Sequence, residues 1–238
     1  TSNRPDVELH IEDSRFARHQ RPDGIAHGIY AGTIARFLLT GSHVTGTQGG
    51  HHVKSRALEN HILYNRLEDG ANMATSRIID LSNCGLSFVV GNQLLQKKGT
   101  RNINVIGYGP EKCDGRAASQ MQLFVSHNTL VNEAFLSVFV RNHVNADAVV
   151  SNNLLLGNGR FLVGDGQASN NLQLGGDQRR GNTWLPGSGE GIVDAGVAVE
   201  GPGGTALVAD KEFRAPAGTV ARPVTGRPDI GAREFQVK

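Results

Sequence analysis

The segment Leu123-Phe124-Val125-Ser126-His127-Asn128-Thr129-Leu130 carries the pattern that decides the fold: alternating apolar residues, then a polar mark, then another apolar residue. Apolar residues at every second position indicate a half-buried β-strand, and Asn indicates a corner. The pattern occurs five more times, at 9–16, 37–44, 62–67, 88–94 and 149–155. Its polar marks are 23 to 36 residues apart. A recurring interval of this length is typical of a solenoid with variable insertions.

Each repeat contains a second short strand about ten to fifteen residues after its mark. These strands are predicted at 27–30, 52–56, 77–81, 103–106, 137–141 and 160–163. The fold class is therefore predicted to be all-β, a right-handed parallel β-helix (solenoid) of about six coils. The corner Asn residues are expected to be structural, since Asn tolerates left-handed backbone and satisfies corner groups. They are Asn65, Asn92, Asn128 and Asn153.

The domain is predicted to consist of coils over 1–175 and an irregular C-terminal capping segment over 176–238, where Gly, Pro and charged residues replace the repeat. A cap is expected because the last coil of a solenoid otherwise leaves bare edge groups. The repeat is already present at Val7. We therefore expect either upstream coils or a homo-oligomer that covers the first coil.

Composition excludes several classes of protein. The chain has 238 residues, a net charge of +2 and 19% charged residues, which is neither a disordered composition nor a strong indication of nucleic-acid binding. Its longest apolar runs, such as 86–90, are far shorter than the roughly 20 residues of a membrane-spanning helix. The two cysteines, Cys84 and Cys113, are 29 residues apart, close to one repeat. They are predicted to face each other, either as a disulfide or as buried free thiols.

One face of the second strands is expected to carry the functional residues, because strand side chains alternate and stacked strands lie roughly 4.8 Å apart. The inward positions are predicted to be Ile29, Val53, Ile79, Val105 and Val138. The outward strip is then predicted to contain Tyr30, His52, Lys54, Arg56, Asp80 and either Asn104 or Ile106, with Tyr108 just beyond.

The segment 50–56, Gly-His-His-Val-Lys-Ser-Arg, would place three basic side chains on one face of one strand. An inert face usually mixes charges to avoid such repulsion. Two interpretations stay open at this point. Either Lys54 and Arg56 are paired with Asp80 or Glu59 on an inert surface, or the strand forms a site for an anionic substrate. His27 and His52 are similarly open between hydrogen-bonded filler and site residues.

The segments His27–Tyr30, Gly50–Ala57 and Ile79–Leu81 resemble bacterial right-handed β-helix repeat proteins of the pectate-lyase-like superfamily. Segments 193–196 and 228–235 are similar to the closing segments of secreted members. The resemblance implies a secreted or periplasmic protein that cleaves or modifies an acidic polysaccharide along a groove on one parallel sheet. The superfamily also includes binding and attachment proteins, and a fold does not dictate chemistry.

Residue types select among the reactions that the resemblance implies. β-Elimination from a uronate needs a neutralised carboxylate, a base and an acid. Lys54 is predicted as the base, Arg56 as the carboxylate-binding residue, and Tyr30 or His52 as the proton donor. His27, Asp80, Asn104 and Tyr108 are the predicted substrate-binding residues.

No metal or cofactor is predicted, because Glu68-Asp69 is a lone acidic pair and a calcium site would need clustered carboxylates. A non-catalytic glycan-binding or surface-attachment module is the alternative function. A glycoside hydrolase is a further one, although Asp80 lacks an evident second carboxylate. The long interval 92–128 is expected to form a wall of the groove with residues 108–119.

Overall fold

The computed structural model describes residues 3–21, 23, 25–71, 75–100, 102–113, 115–176, 179 and 183–235. Within these residues the protein is all-β and is dominated by three parallel sheets, as the sequence predicts. The strands are numbered β1 to β22 in chain order. Two short 3-10 helices, Ala118–Gln120 and Pro202–Gly204, are the helical elements of the described chain.

The bounds of the strands are as follows. Sheet one contains β1 (Arg4–Glu12), β4 (Ile34–Thr40), β7 (Glu59–Leu63), β10 (Leu86–Val90), β13 (Gln122–Ser126), β16 (Asp147–Ser151) and β19 (Gln167–Ser169). Sheet two contains β2 (Arg15–His19), β5 (His43–Thr47), β8 (Arg66–Glu68), β11 (Gln93–Gln96), β14 (Thr129–Asn132), β17 (Leu154–Leu156) and β20 (Leu172–Leu174). Sheet three contains β3 (Ile29–Ala31), β6 (His51–Ser55), β9 (Arg77–Leu81), β12 (Asn104–Tyr108), β15 (Ser137–Asn142) and β18 (Gly159–Val163). An antiparallel pair, β21 (Lys211–Phe213) and β22 (Thr219–Ala221), follows.

The chain visits sheets one, two and three in rotation, so every third strand returns to the same sheet. This order and the in-register parallel pairing are consistent with a β-helix. The inward apolar side chains of all three sheets meet in one buried cluster, to which Leu39, Leu94 and Ile79 each contribute from a different sheet. Burying each such side chain stabilises the fold by about 1.5–3 kcal/mol.

The corner between sheets one and two is a ladder of buried Asn side chains, which confirms their predicted structural role. The Asn92 carboxamide oxygen accepts hydrogen bonds from the backbone N–H of Asn65 at 2.9 Å and from its side chain at 3.0 Å. Asn128 and Asn153 repeat this arrangement one rung at a time. The residue before each ladder position has left-handed backbone, for example Gly91 with φ of 69°. A Cβ at Gly91 would lie 2.4 Å from the Tyr64 ring, which explains the glycine.

Sheet three differs from the prediction in the register of its later strands. Ile79 pairs with Ile106, and Ile106 with Val140. The expected inward residues, Val105 and Val138, are therefore displaced from this rung by one and two positions. Both Val105 and Ile106 are fully buried, so apolar alternation alone could not decide between them.

The C-terminal segment packs along the outer face of sheet two. Trp184, Ile192 and Ile230 contact a buried row of Leu and Val side chains from β11, β14 and β17. Arg222 is buried within the segment, where it pairs with Glu234 and donates to the Asp229 carbonyl at 2.9 Å. The residues of β19 are exposed along its length. The described part of the segment therefore covers the side of the stack and leaves β19, the last strand of sheet one, exposed.

Candidate functional site

The outer face of sheet three brings Tyr30, Lys54 and Asp80 together as the sequence predicts. Tyr30 pairs with Lys54, and Lys54 with Asp80, on adjacent strands. The next residue in this column is Gly107, which pairs with Asp80 and then with Arg141. The predicted neighbours Tyr30, Lys54 and Asp80 are thus present on the first three strands, and the strip departs from the prediction at β12.

Lys54 lies beneath the surface of this face between two carboxylates. Its Nζ is 2.5 Å from Glu111 Oε1 and 3.7 Å from Asp80 Oδ2. Its side chain is 12% exposed, whereas that of Glu111 is 37% exposed. Of the two carboxylates that the inert-surface interpretation gave as partners, Asp80 and Glu59, Asp80 is therefore close to Lys54. Glu59 instead pairs with Arg36 and His61 on sheet one.

Arg56 follows β6 and binds the same carboxylate from the other side, since its Nη2 pairs with Glu111 Oε2. Its Nε is buried and has no hydrogen-bond partner among the described residues. We call Lys54 and Arg56 the carboxylate clamp. The clamp lies beside the Tyr30 ring, with the Arg56 guanidinium 5.7 Å and the Lys54 ammonium 5.9 Å from the ring centroid. The Tyr30 hydroxyl makes no hydrogen bond within the described chain.

Glu111 belongs to a short segment between β12 and Cys113, which we call the Glu111 loop (residues 109–113). A disulfide joins Cys113 to Cys84, so the first of the two predicted cysteine states is the one observed. Backbone hydrogen bonds hold the loop on the preceding repeat, from Gly109 N to Leu81 O at 2.9 Å and from Glu111 N to Ser82 O at 3.0 Å. The loop stands beside the column, where the sequence predicts a wall.

Asp80 faces outward but is only 1% exposed, because neighbouring side chains cover it. Arg77 Nη1 donates to its Oδ1 at 3.0 Å, and the Ser82 hydroxyl donates to its Oδ2 at 2.7 Å. His51 Nε2 lies 3.5 Å from the same Oδ2. Asp80 therefore holds the surrounding cations in place, and its carboxylate oxygens are too covered to bind a ligand directly.

His27 and His51 stack beside this column with ring centroids 5.1 Å apart. The backbone N–H of His51 donates to His27 Nδ1, and that of Arg77 donates to His51 Nδ1. A neutral imidazole that accepts at Nδ1 carries its hydrogen on Nε2. Burial lowers the pKa of both side chains, that of His51 to about 4, so both are neutral N–H donors at pH 7. The sequence predicts His27 as a site residue but not His51, because alternation from Val53 assigns His51 to the inward face.

The prediction that His52 lies on the outer face is wrong, because its side chain is fully buried. Its Nδ1 is 2.9 Å from the Thr47 hydroxyl, and its Nε2 is 3.4 Å from Asp69. Alternation fails at the start of β6 and β9, where His52 and Val53, and likewise Ile78 and Ile79, are all buried. His52 is therefore removed from the candidate proton donors.

Tyr108 and Asn104 are also not in the column. Tyr108 is fully buried, and its hydroxyl donates to the Gly85 carbonyl at 2.8 Å. Burial raises the pKa of this phenol, which further marks it as structural. Asn104 begins β12 and pairs with Val138, whereas Gly107 is the residue of this strand that pairs with Asp80. Ile106, the other predicted outward residue, faces the core.

The buried histidines predict how stability depends on pH. Burial lowers the pKa of His127 to about 3 and that of His51 to about 4, against about 6.5 in the unfolded chain. Between pH 6.5 and 4 the unfolded state binds more protons, so stability is complete above pH 6.5 and falls as the pH drops. Each histidine is expected to contribute on the order of a few kcal/mol to this loss.

Urea unfolding at pH 7.5 and 5.0 measures this loss. His127→Asn removes one titrating group while Asn tolerates the left-handed φ of 52° at this corner. We expect the variant to lose less stability than the wild type between the two pH values. An equal loss in both proteins would show that His127 does not titrate as its burial requires.

Comparison of the chain with family models, curated proteins and solved structures finds no match. Among the described residues, no group of three or more His, Cys, Asp and Glu side chains is arranged to hold a metal ion. No helix in the described part of the chain is long and apolar enough to cross a membrane.

Proposed function

We propose that this protein binds a uronate-containing polysaccharide on the outer face of sheet three and acts on it by β-elimination, with the three sheets as the walls of a right-handed β-helix of about six coils. The observation that carries the proposal is the carboxylate clamp. Lys54 and Arg56 converge on one carboxylate, that of Glu111, beside an aromatic ring. A guanidinium and an ammonium that hold one carboxylate can hold another of the same chemistry.

The elimination would use the groups that surround the clamp. Arg56 would neutralise the carboxylate of the bound sugar. Lys54, freed from Glu111 and having given one ammonium proton to solvent, would take the proton from the carbon beside that carboxylate. The electron pair would form a carbon–carbon double bond as the glycosidic C–O bond breaks. The Tyr30 hydroxyl, which has no partner among the described residues, would give its proton to the leaving oxygen.

A glycan-binding module without catalysis is the second candidate, and a specific observation favours it. His27 and His51 present N–H donors rather than free lone pairs, and Lys54 is already engaged as a cation. A site made of donors and cations is suited to hold an acidic sugar without removing a proton. The hydrolase alternative gains a second carboxylate in Glu111, but Asp80 is covered and accepts a hydrogen bond at each oxygen.

Replacing Arg56 by Ala tests the proposal. Loss of a charged hydrogen bond to a carboxylate costs about 1.5–3 kcal/mol, so affinity for the bound polymer should fall roughly 10- to 150-fold. Titration calorimetry with polygalacturonate and alginate measures this fall, and absorbance of an unsaturated sugar end detects elimination. Arg214→Ala, which removes the same charge from an exposed position of the C-terminal segment, is the matched control.

Binding together with an unsaturated product would support the lyase. Binding without such a product would favour the non-catalytic glycan-binding module. If acidic polymers bind equally to wild type and Arg56→Ala, or bind to neither, the clamp is not a substrate site.

A further inference from the structure

Glu111 occupies the position that the proposed function gives to a substrate carboxylate. Its two oxygens are divided between Lys54 Nζ and Arg56 Nη2. Within the described chain, Glu111 is the carboxylate that pairs with the Arg56 guanidinium. The clamp is therefore filled by the protein itself.

Glu111 fills the clamp incompletely. The planar guanidinium fork binds a carboxylate best through two parallel N–H bonds. Glu111 uses only Nη2 of Arg56, and the buried Nε stays without a partner among the described residues. A buried donor left unpaired is unfavourable. An external carboxylate that approached along the fork could satisfy both nitrogens once the Glu111 side chain had moved away.

The Glu111 loop can release the clamp without unfolding. The disulfide from Cys113 to Cys84 and the backbone hydrogen bonds of Gly109 and Glu111 fix the loop backbone on the preceding repeat. Arg116 adds a hydrogen bond from its Nε to the Asn83 carbonyl at 2.6 Å. None of these contacts involves the Glu111 carboxylate. Rotation of one partly exposed side chain would therefore open the site.

We infer that Glu111 is an internal substitute for the substrate carboxylate, which closes the carboxylate clamp until an acidic ligand displaces it. This inference rests on the proposed carboxylate-binding role of Lys54 and Arg56. Ion pairs between partly exposed groups are weak, so Glu111 competes without blocking the site. It lowers the apparent affinity of every ligand that must displace it by the same factor, which is set by the fraction of protein with an open clamp.

Glu111→Gln tests this inference, because it removes the competing charge and keeps the size of the side chain. An internal competitor of this strength should lower apparent affinity about fivefold, so the variant should bind about fivefold more tightly. Titration calorimetry uses two probes, polygalacturonate and poly-L-glutamate, and the second offers carboxylates without sugar. Hydrogen exchange of residues 109–113 should be unchanged in the variant, because the hydrogen bonds of the loop backbone do not involve the Glu111 carboxylate.

Two controls separate the inference from a general effect of charge. Glu190→Gln removes the same charge from an exposed position of the C-terminal segment and should leave affinity unchanged. Combining Glu111→Gln with Arg56→Ala should abolish the gain, because no clamp remains to be freed.

Tighter binding of poly-L-glutamate alone would uphold the internal competitor while removing the polysaccharide function. Three results would overturn the inference. They are unchanged affinity for poly-L-glutamate in Glu111→Gln, an equal gain in Glu190→Gln, and a gain that persists without Arg56.

Discussion

Lys54→Ala is expected to lower the rate of β-elimination by about 100- to 10,000-fold on any uronate polymer that the wild type cleaves, which is the contribution of a positioned general base. In the proposed elimination Lys54 is the base, and of Tyr30, Lys54 and Asp80 it is the one that pairs with the carboxylate in the clamp. Its Nζ is 2.5 Å from the carboxylate that now occupies the site. The initial rate of absorbance increase from the unsaturated sugar end measures the effect.

Lys54→Arg is the matched variant for this prediction. Arginine keeps the positive charge and binds carboxylates, but it stays protonated and cannot act as a base. We expect this variant to bind the polymer and fail to cleave it. Cleavage at the wild-type rate by either variant would assign the base to another residue and leave Lys54 with a binding role only.

Asn92→Ala is expected to destabilise the fold by about 3 kcal/mol or more, because each buried polar group left unpaired costs about 1–3 kcal/mol. The Asn92 side chain accepts from Asn65 N and donates to the Ile62 carbonyl at 2.8 Å and to Asn128 Oδ1 at 2.9 Å. Alanine takes the Asn92 side chain away from all of these partners, and they lie in a buried ladder where water cannot replace it. Urea unfolding followed by circular dichroism measures the change.

Asn171→Ala provides the comparison at the end of the same ladder. Asn171 accepts from Asn153 N and Nδ2 but is only half-buried, so water can replace part of what is lost. We expect a cost of about 1 kcal/mol for this variant. Equal costs at Asn92 and Asn171 would contradict a ladder whose stability depends on burial.

The repeat and its corners could be predicted from the sequence because both rest on local chemistry. Alternating apolar residues mark strands with one buried face, and a buried Asn side chain can satisfy the backbone groups of a corner. The left-handed backbone itself lies at the residue before each ladder Asn, as at Tyr64 and Gly91. The same alternation predicts that Tyr30, Lys54 and Asp80 are neighbours on adjacent strands, since each follows one inward apolar residue in a short strand.

The rest of the site depends on features that alternation does not encode. In β12 both Val105 and Ile106 are buried, so the position of Gly107 in the column could not be read from the pattern. His52 is buried because alternation fails at the start of β6. Glu111 lies in an insertion outside the repeat. The available signal for its position was Cys113, whose pairing with Cys84 brings the loop onto the preceding repeat.

The most direct test compares one acidic oligosaccharide with its carboxyl-reduced form, in which each carboxylate has become a neutral hydroxymethyl group. Titration calorimetry against the wild-type protein is the measurement. If the pair formed by Lys54 and Arg56 recognises sugar carboxylates, the acidic form binds and the reduced form binds at least 10-fold more weakly. Equal affinity for the two forms would contradict carboxylate recognition on sheet three.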